Sequence, residues 1–317
     1  MRTYSALISA LALALVACGG GDSPPADAPE AANIGFKKPE LSMKANMELA
    51  EDSWMEIGPA DFSCLNTANA DPATTVEVTL STTVLDFQSD NLVPNASIIA
   101  FRGQDINDVF DTKTSDENAE VDIVIPVGVT RFGYKLTDPE SLDTLLLNQK
   151  VEPGVALQTE GSIRTVSKAT AATMPALIGI SRTPNTGVLA GAMRDCQDRE
   201  VSNFVATVVT ESGALDSGTH AEIEAQNQAN LVPGTDTYYF SSSVGLPVRH
   251  TQKAAASEDG LFMVVELGVA PVAFVQVWGY VNDADAAADV LTLVAELQTE
   301  SIGDTVITGS YEPLRTE

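Results

Sequence analysis

Few side chains in this sequence are of a kind that does chemistry, and their spacing excludes more than it allows. There are two histidines, His220 and His250, far apart in the chain. Neither an HExxH pair nor a Cys/His zinc spacing occurs. His220 with Glu222 and Glu224 comes nearest to a metal cluster, and in so polar a stretch these residues read as a solvated face. Hard cations take several oxygens at once. Two runs could supply them: Asp105, Asn107, Asp108 and Asp111, and Asn282, Asp283, Asp285 and Asp289. Neither has the glycine and terminal glutamate of an EF-hand loop, so Asp283, Asp285 and Asp289 stand only as calcium candidates. No other cofactor is implied. Gly179-Ile180-Ser181-Arg182-Thr183 lacks the second glycine of a nucleophile elbow. Asp236-Thr237 and Asp304-Thr305 lack the glycine of an aspartic-protease loop, and no phosphate-cradling glycine motif is present. Acids are plentiful, but nothing selects a pair for glycoside hydrolysis. No catalytic residue is expected, and the chain reads as non-enzymatic. Tyr238, Tyr239, Phe240, Trp278 and Tyr280 could stack on a sugar, but alternate residues of a strand face opposite ways, so core packing is their default.

The elements that would carry these residues are strands. From Thr75 the hydrophobic period is two: Val76, Val78, Leu80, Thr82 and Val84 share one face, Glu77, Thr79, Ser81 and Thr83 the other. Further strands are expected at 96–101, 120–125, 129–136, 142–148 and 154–166. After an ambiguous Ala- and Thr-rich stretch (167–178) and a linker near 181–186, the plan repeats at 188–193, 201–209, 237–241, 261–267, 272–280, 290–297 and 305–310. Residues 41–69 form a lead-in with some helix-forming residues and no clean period, and 212–230 a long polar insertion. Short strands with turn signals between them argue for an all-β fold of two tandem sandwiches.

Composition narrows the partners. The 317 residues carry 44 acidic and 17 basic side chains, a net charge of -27, with 44% hydrophobic residues. That apolar fraction suffices for packed cores. The charge repels nucleic-acid phosphates and anionic headgroups, so a nucleic-acid-binding role is excluded.

The N-terminus is organised around Leu15-Val16-Ala17-Cys18. Arg2 is a positive n-region, and Ala6 to Ala17 is an apolar run too short for the about 20 residues that span a bilayer. Gly19-Gly20-Gly21 follows. The stretch resembles a bacterial lipobox. The resemblance implies that residues 1–17 are a signal peptide, that Cys18 becomes the lipidated N-terminus, and that several acyl chains anchor the protein stably where one would be marginal. Gly19, where a sorting aspartate would stand, implies the outer membrane. Residues 18–40, with Ser23-Pro24-Pro25, read as a flexible tether. With Cys18 assigned to lipid, Cys64 and Cys196 remain as a candidate disulfide in an oxidising compartment.

A second resemblance concerns the body. Val84-Leu85-Asp86, Leu92-Val93-Pro94-Asn95-Ala96, Ser115-Asp116-Glu117-Asn118 and Val121 to Pro126 form one set. Leu189 to Cys196, Val201-Ser202-Asn203 and Ser257-Glu258-Asp259-Gly260-Leu261-Phe262 form another. Both resemble carboxypeptidase regulatory-like, transthyretin-like sandwiches, although Asn118-Ala119-Glu120 stands where that family has Gly-Phe. The resemblance implies a non-catalytic protein with no active-site residues to carry over. The expected organisation is a first sandwich at 41–180 with its lead-in, and a second at 187–317. The expected role is a membrane-anchored structural or interaction protein, adaptor or spacer, meeting another envelope protein or a polysaccharide. The alternative is a carbohydrate- or peptide-binding module of the envelope.

Overall fold

A computed structural model describes residues 33–50, 53–159 and 162–316. The leader, Cys18 and most of the expected tether lie outside them. In the first half the strands are β1 (Lys44–Ala50), β2 (Ser53–Pro59), β3 (Thr67–Ala68), β4 (Val78–Asp86), β5 (Ser97–Arg102) and β6 (Val109–Thr114). They continue with β7 (Glu120–Ile125), β8 (Arg131–Thr137), β9 (Ser141–Lys150), β10 (Leu157–Gln158) and β11 (Ser162–Ser167). The alternation read at Thr75–Val84 is realised in β4, where Val78, Thr82 and Val84 are buried. β4 pairs with β7, β10 and β11, while β5, β6, β8 and β9 pair among themselves. Val78 and Val84 meet Ile98, Ala100, Ile123, Tyr134 and Leu136 in one core between these layers.

Helix α1 (Lys168–Leu177) follows, with Ser167 at its N-cap accepting from the Thr170 amide. It resolves the ambiguous stretch as a helix. The strands after it are β12 (Gly187–Met193), β13 (Glu200–Ser202), β14 (Val205–Val209) and β15 (Ser217–Gly218). Helix α2 (His220–Ala229) occupies the polar insertion, closed by a Thr219/Glu222 capping box and seated through Ile223 and Asn227. Then come β16 (Thr237–Ser241), β17 (Leu246–Pro247), β18 (Leu261–Leu267), β19 (Ala270–Gly279), helix α3 (Asp283–Ala288), β20 (Leu291–Ser301), β21 (Thr305–Tyr311) and β22 (Arg315–Thr316). One layer is β14-β19-β20-β15; the other is β9-β21-β12-β18-β16. Leu189, Phe262, Val264 and Ile307 pack against Val205, Val275, Val277 and Leu297 between them. The architecture is an all-β sandwich.

Two expectations about organisation change. The lead-in packs on the second half instead of the first: β1 pairs with β13, Ala45 opposite Val201, and the Met43 amide donates to the Tyr280 carbonyl. Its Met, Glu, Leu and Ala suit a helix, but an antiparallel partner decides the conformation. The tether also ends earlier than Glu40, because Asn33 and Phe36 are buried. The expected boundary near 181–186 is spanned by β21, which pairs in parallel with β9 of the first half (Ile307 with Leu145) and with β12 of the second (Ile307 with Leu189).

Candidate functional site

The acidic candidates are placed apart, each with a partner of its own. Asp283 bonds the Ser42 hydroxyl and the Lys44 ammonium, 3.1 Å away. Asp289 accepts from the Tyr280 hydroxyl at 2.6 Å and pairs with Lys38 at 3.0 Å. Asp285 accepts from Asn282 at 2.7 Å, beside the α3 cap. The Ser42 hydroxyl bond first, then Lys44, holds the Asp283 carboxyl below its usual range; for Asp289 the Tyr280 bond leads. Among the described residues no group of three or more His, Cys, Asp and Glu side chains is placed to hold a metal. Two of the calcium candidates, Asp283 and Asp289, clamp the incoming chain at Lys38, Ser42 and Lys44. In the other run, Asp105 closes a turn on the Asn107 amide, Asp108 pairs with Arg102, and Asp111 accepts from the Val124 amide.

The clamp belongs to a larger attachment. Thr237 donates its amide to Asn33 Oδ1 at 3.1 Å, while Asn33 Nδ2 donates to the Ala206 carbonyl at 3.2 Å. The Tyr239 hydroxyl donates to the Gly35 carbonyl at 2.9 Å and accepts from the Ala206 amide at 3.1 Å. These side chains satisfy backbone groups of β14 on the side where it has no strand partner. That matters because an unpaired buried backbone group costs about as much as a lost hydrogen bond. Phe36 stacks on His220, ring centroids 5.7 Å apart, and His220 Nε2 lies 3.0 Å from the Phe36 carbonyl. His220, expected on a solvated face, therefore seats the N-terminal segment.

The aromatic residues divide by strand parity. Tyr239, Trp278 and Tyr280 are buried, Trp278 completely, with its indole donating to Gln276. They are core, and Trp278 has no face to offer a sugar. On the other side of β16, Tyr238 stacks on His250 at 4.2 Å and donates to Asp236, which also meets His250 Nε2 at 3.0 Å. Burial, then the Asp236 charge, pushes the Tyr238 hydroxyl up.

Sequence reasoning missed an apolar cavity. The outer face of the β21-β12-β18-β16 layer carries Val188, Ala190, Phe240, Met263, Val265 and Val306 and is covered in part by α1 and by the turn at β17. Between these covers is an apolar cavity of about 140 Å³, with Met174 and Pro175 on the helix side and Leu246 and Pro247 on the other. No charged side chain lines it. Its signal was present in β12, where Val188 and Ala190 alternate with Leu189, Gly191 and Met193. A strand apolar on both faces needs a cover on both.

Cys64 and Cys196 form a disulfide, their Cα atoms 5.8 Å apart. Asp195 organises the surrounding turn. It accepts from the Asp61 amide at 3.0 Å, the Gln197 amide at 2.9 Å and Arg199 Nε at 2.9 Å. Burial opposes its charge, but the Arg199 guanidinium and these amides outweigh it and keep the carboxyl below its usual range.

Asp259 behaves in the opposite way. It lies in the turn that precedes β18, where Gly260 takes a φ of +66° and a Cβ would lie 3.0 Å from the Met193 carbonyl oxygen and 3.2 Å from Val201 backbone atoms. Its Oδ1 accepts from the Leu261 amide, while its buried Oδ2 has no hydrogen-bond partner. Burial, helped by Glu258 and opposed by Lys253, raises it from 3.8 to about 6. Between these values the folded protein holds a proton that the unfolded chain has released. The group's contribution is therefore fully present below the unfolded pKa, and roughly 2–3 kcal/mol is lost as pH rises through the folded value. Asp86 and Asp195 shift downwards and act only in more acid solution. Asp259→Asn, able to fill the same turn without charge, is expected to remove most of the stability difference between pH 5 and pH 8. Guanidinium midpoints for parent and variant at both pH values check this, and equal pH dependence in the two would refute it.

No protein-family model matches the sequence, and no curated protein matches it. Among solved structures the chain aligns with shaft pilin SpaA from Lactobacillus rhamnosus GG at 8% identity and TM-score 0.22, covering 76% of this chain and 98% of that one. It aligns with the Bacillus anthracis TIE protein at 12% identity and TM-score 0.22, covering 75% and 34%. A catechol 1,2-dioxygenase mutant of Acinetobacter radioresistens aligns at 12% identity and TM-score 0.19, covering 31% of this chain and 44% of the enzyme, less than half its length. Likeness of this degree assigns no function.

Proposed function

We propose that the protein is a non-catalytic envelope lipoprotein, anchored through lipid on Cys18 to the outer membrane, whose rigid β body acts as a spacer or adaptor for another envelope component. The observation that carries this reading is the attachment of the chain just beyond the tether. Asn33, Gly35, Phe36, Lys38, Ser42 and Lys44 are each fixed to the second half by a bond or ring contact. Such a mooring makes a pull on the N-terminus act on the body instead of unravelling it. The lipobox sequence supports the anchor, and the resemblance to regulatory-like sandwiches supports a role without catalysis. Of the two binding alternatives, the apolar cavity favours an apolar peptide side chain over a carbohydrate, since the buried Trp278 offers no stacking face.

The anchor has a direct test. Cys18→Ser is expected to abolish incorporation of a labelled fatty acid and to leave the mature protein out of the membrane fraction, whereas the parent is labelled and sediments with outer membrane. A parent that is processed yet unlabelled would end the lipoprotein reading.

A further inference from the structure

The loop that carries Asp105 and Asn107 forms one wall of a cleft of about 320 Å³. That is the lower end of the range of about 300–1,000 Å³ typical of small-molecule sites. Both halves of the chain build it. Gln104, Asn107 and Leu145 come from the first; Pro271 of β19 and Gln298, Glu300 and Ile302 come from the second. Local structure sets each wall. Gln298 and Glu300 are two apart on β20 and share its exposed face, while Thr299 and Ser301 are buried. Across the ladder a bulge sets Pro271 and Val272 against Glu300 alone, and Pro271 lines the cleft. On the loop side the Asp105 amide donates to the Arg102 carbonyl at 3.1 Å and the Asp108 amide to the Asp105 carbonyl at 2.9 Å. The Asn107 amide donates to Asp105 Oδ1 at 3.0 Å. Gln104 and Asn107 are therefore presented from a braced turn, which lowers the ordering cost of binding.

The lining selects a kind of ligand. Gln104, Asn107 and Gln298 bring three carboxamides, each of which both donates and accepts, and Glu300 brings a carboxylate. All four are exposed, and among the described residues none of these side-chain groups has a protein partner. Asn107 and Glu300 are engaged through their backbones only. Ile106, Leu145, Pro271 and Ile302 supply aliphatic surface between them. No lysine, arginine or histidine lines the cleft. An anionic ligand would meet Asp105 and Glu300 and no cation, on a chain of net charge -27. A wholly apolar ligand would take water from the carboxamides and return no bond. The ligand that suits the whole set is uncharged. It has C–H surface for the aliphatic floor and hydroxyls that both donate and accept for the amides, which is the chemistry of a sugar ring.

We propose that this cleft binds a neutral glycan. A sugar ring lies on Ile106, Pro271 and Ile302, and its hydroxyls bond to Gln104, Asn107 and Gln298. Glu300 accepts from a hydroxyl and neutralises no charge. No aromatic ring lines the cleft, so hydrogen bonds carry the recognition and dissociation constants are on the order of 1 mM. The site is separate from the cavity under α1 and does not involve the buried Trp278. It requires neither lipid on Cys18 nor a protein partner, so this inference and the spacer reading fail separately.

Saturation-transfer NMR on the full chain, in a detergent without a sugar headgroup, tests it. The probes are chitobiose, cellotriose, maltotriose and mannobiose, with digalacturonate and spermidine as charged controls. At least one neutral probe is expected to give saturable transfer, strongest at its ring C–H groups and insensitive to salt, while digalacturonate gives none. Gln104→Ala combined with Gln298→Ala weakens that binding about tenfold or more, because both side chains bond the sugar and neither is packed in a core. Glu300→Gln, which keeps an acceptor and removes the charge, changes it by less than about threefold. Equal thermal midpoints for parent and variants show that the fold is intact. Absence of transfer from every neutral probe at about 10 mM overturns the proposal. So does sugar binding that the double glutamine variant leaves unchanged, which would place the sugar elsewhere. Binding of spermidine alone, lost in Glu300→Gln, overturns it too and would make the cleft a cation site.

Discussion

Replacing Cys64 and Cys196 together by serine lowers the unfolding free energy by roughly 4–5 kcal/mol, the loop-closure entropy of a cross-link that spans so much of the chain. The bridge joins residues 132 apart in sequence. Little of the loss is expected to come from the folded state. The Cys196 amide donates to the Asp61 carbonyl at 2.9 Å, and Asp195 still binds the Asp61 amide and Arg199, so the two segments remain in place without the bridge. The effect lies in the unfolded chain, which becomes larger and exposes more surface. The guanidinium midpoint should therefore fall while the slope of the transition steepens. Reductant should reproduce the loss in the parent and do nothing to the variant. A loss below about 1 kcal/mol would show that the unfolded ensemble is restrained in some other way.

Gly35→Ala is expected to release the N-terminal segment. A Cβ at this position would lie 1.8 Å from the Thr237 carbonyl oxygen and 2.7 Å from its carbon. Those are backbone atoms of β16, which Thr237 ties to Val264 of β18, and they cannot turn aside. The segment must lift, and it takes with it the Asn33 bonds to Thr237 and Ala206 and the burial of Phe36. The cost is roughly 2–4 kcal/mol, because buried donors and acceptors on β14 and β16 lose their partners while the freed residues regain chain entropy. Amide exchange from 33 to 38 would rise to unprotected rates, with the cores unaffected. Asn33→Ala, which removes the bonds but creates no clash, should give a smaller loss of the same kind. Unchanged exchange in Gly35→Ala would mean that the segment tolerates a shift in register.

Local pattern explains which parts were legible in the sequence. β4 and β7 announce themselves through residues two apart and β12 and β18 as short apolar runs between turn residues, and Cys64 and Cys196 are the pair that remains once Cys18 is set aside. Helix α2 carried a readable signal that went unused: Thr219 and Glu222 have capping-box spacing, with Ile223 and Asn227 four apart on the buried side. The hairpin β1-β2 was opaque because its composition favours a helix and its partner, β13, lies far along the chain. The acidic run at 282–289 was read for what carboxylates can ligate. What it holds, Ser42, Lys44 and Lys38, follows from tertiary approach alone. The cavity was hidden for the same reason, since it arises where α1 and the turn at β17 fail to meet over a strand that is apolar on both faces.

The position of β21 has a consequence for how the chain comes together. It is the insert between β9 and β12, yet it is almost the last strand to be made. Until it arrives, β9 has a bare edge and the strands from β4 to β11 share no sheet with the second half. Contacts of such sequence separation form slowly, and unpaired edges are where nascent chains aggregate. The residues just beyond it complete the closure: Glu312 meets Arg131, and the Leu314 amide bonds the Val294 carbonyl. A chain interrupted anywhere between β20 and β21 would accordingly be a substrate for quality-control proteases instead of a shortened working protein.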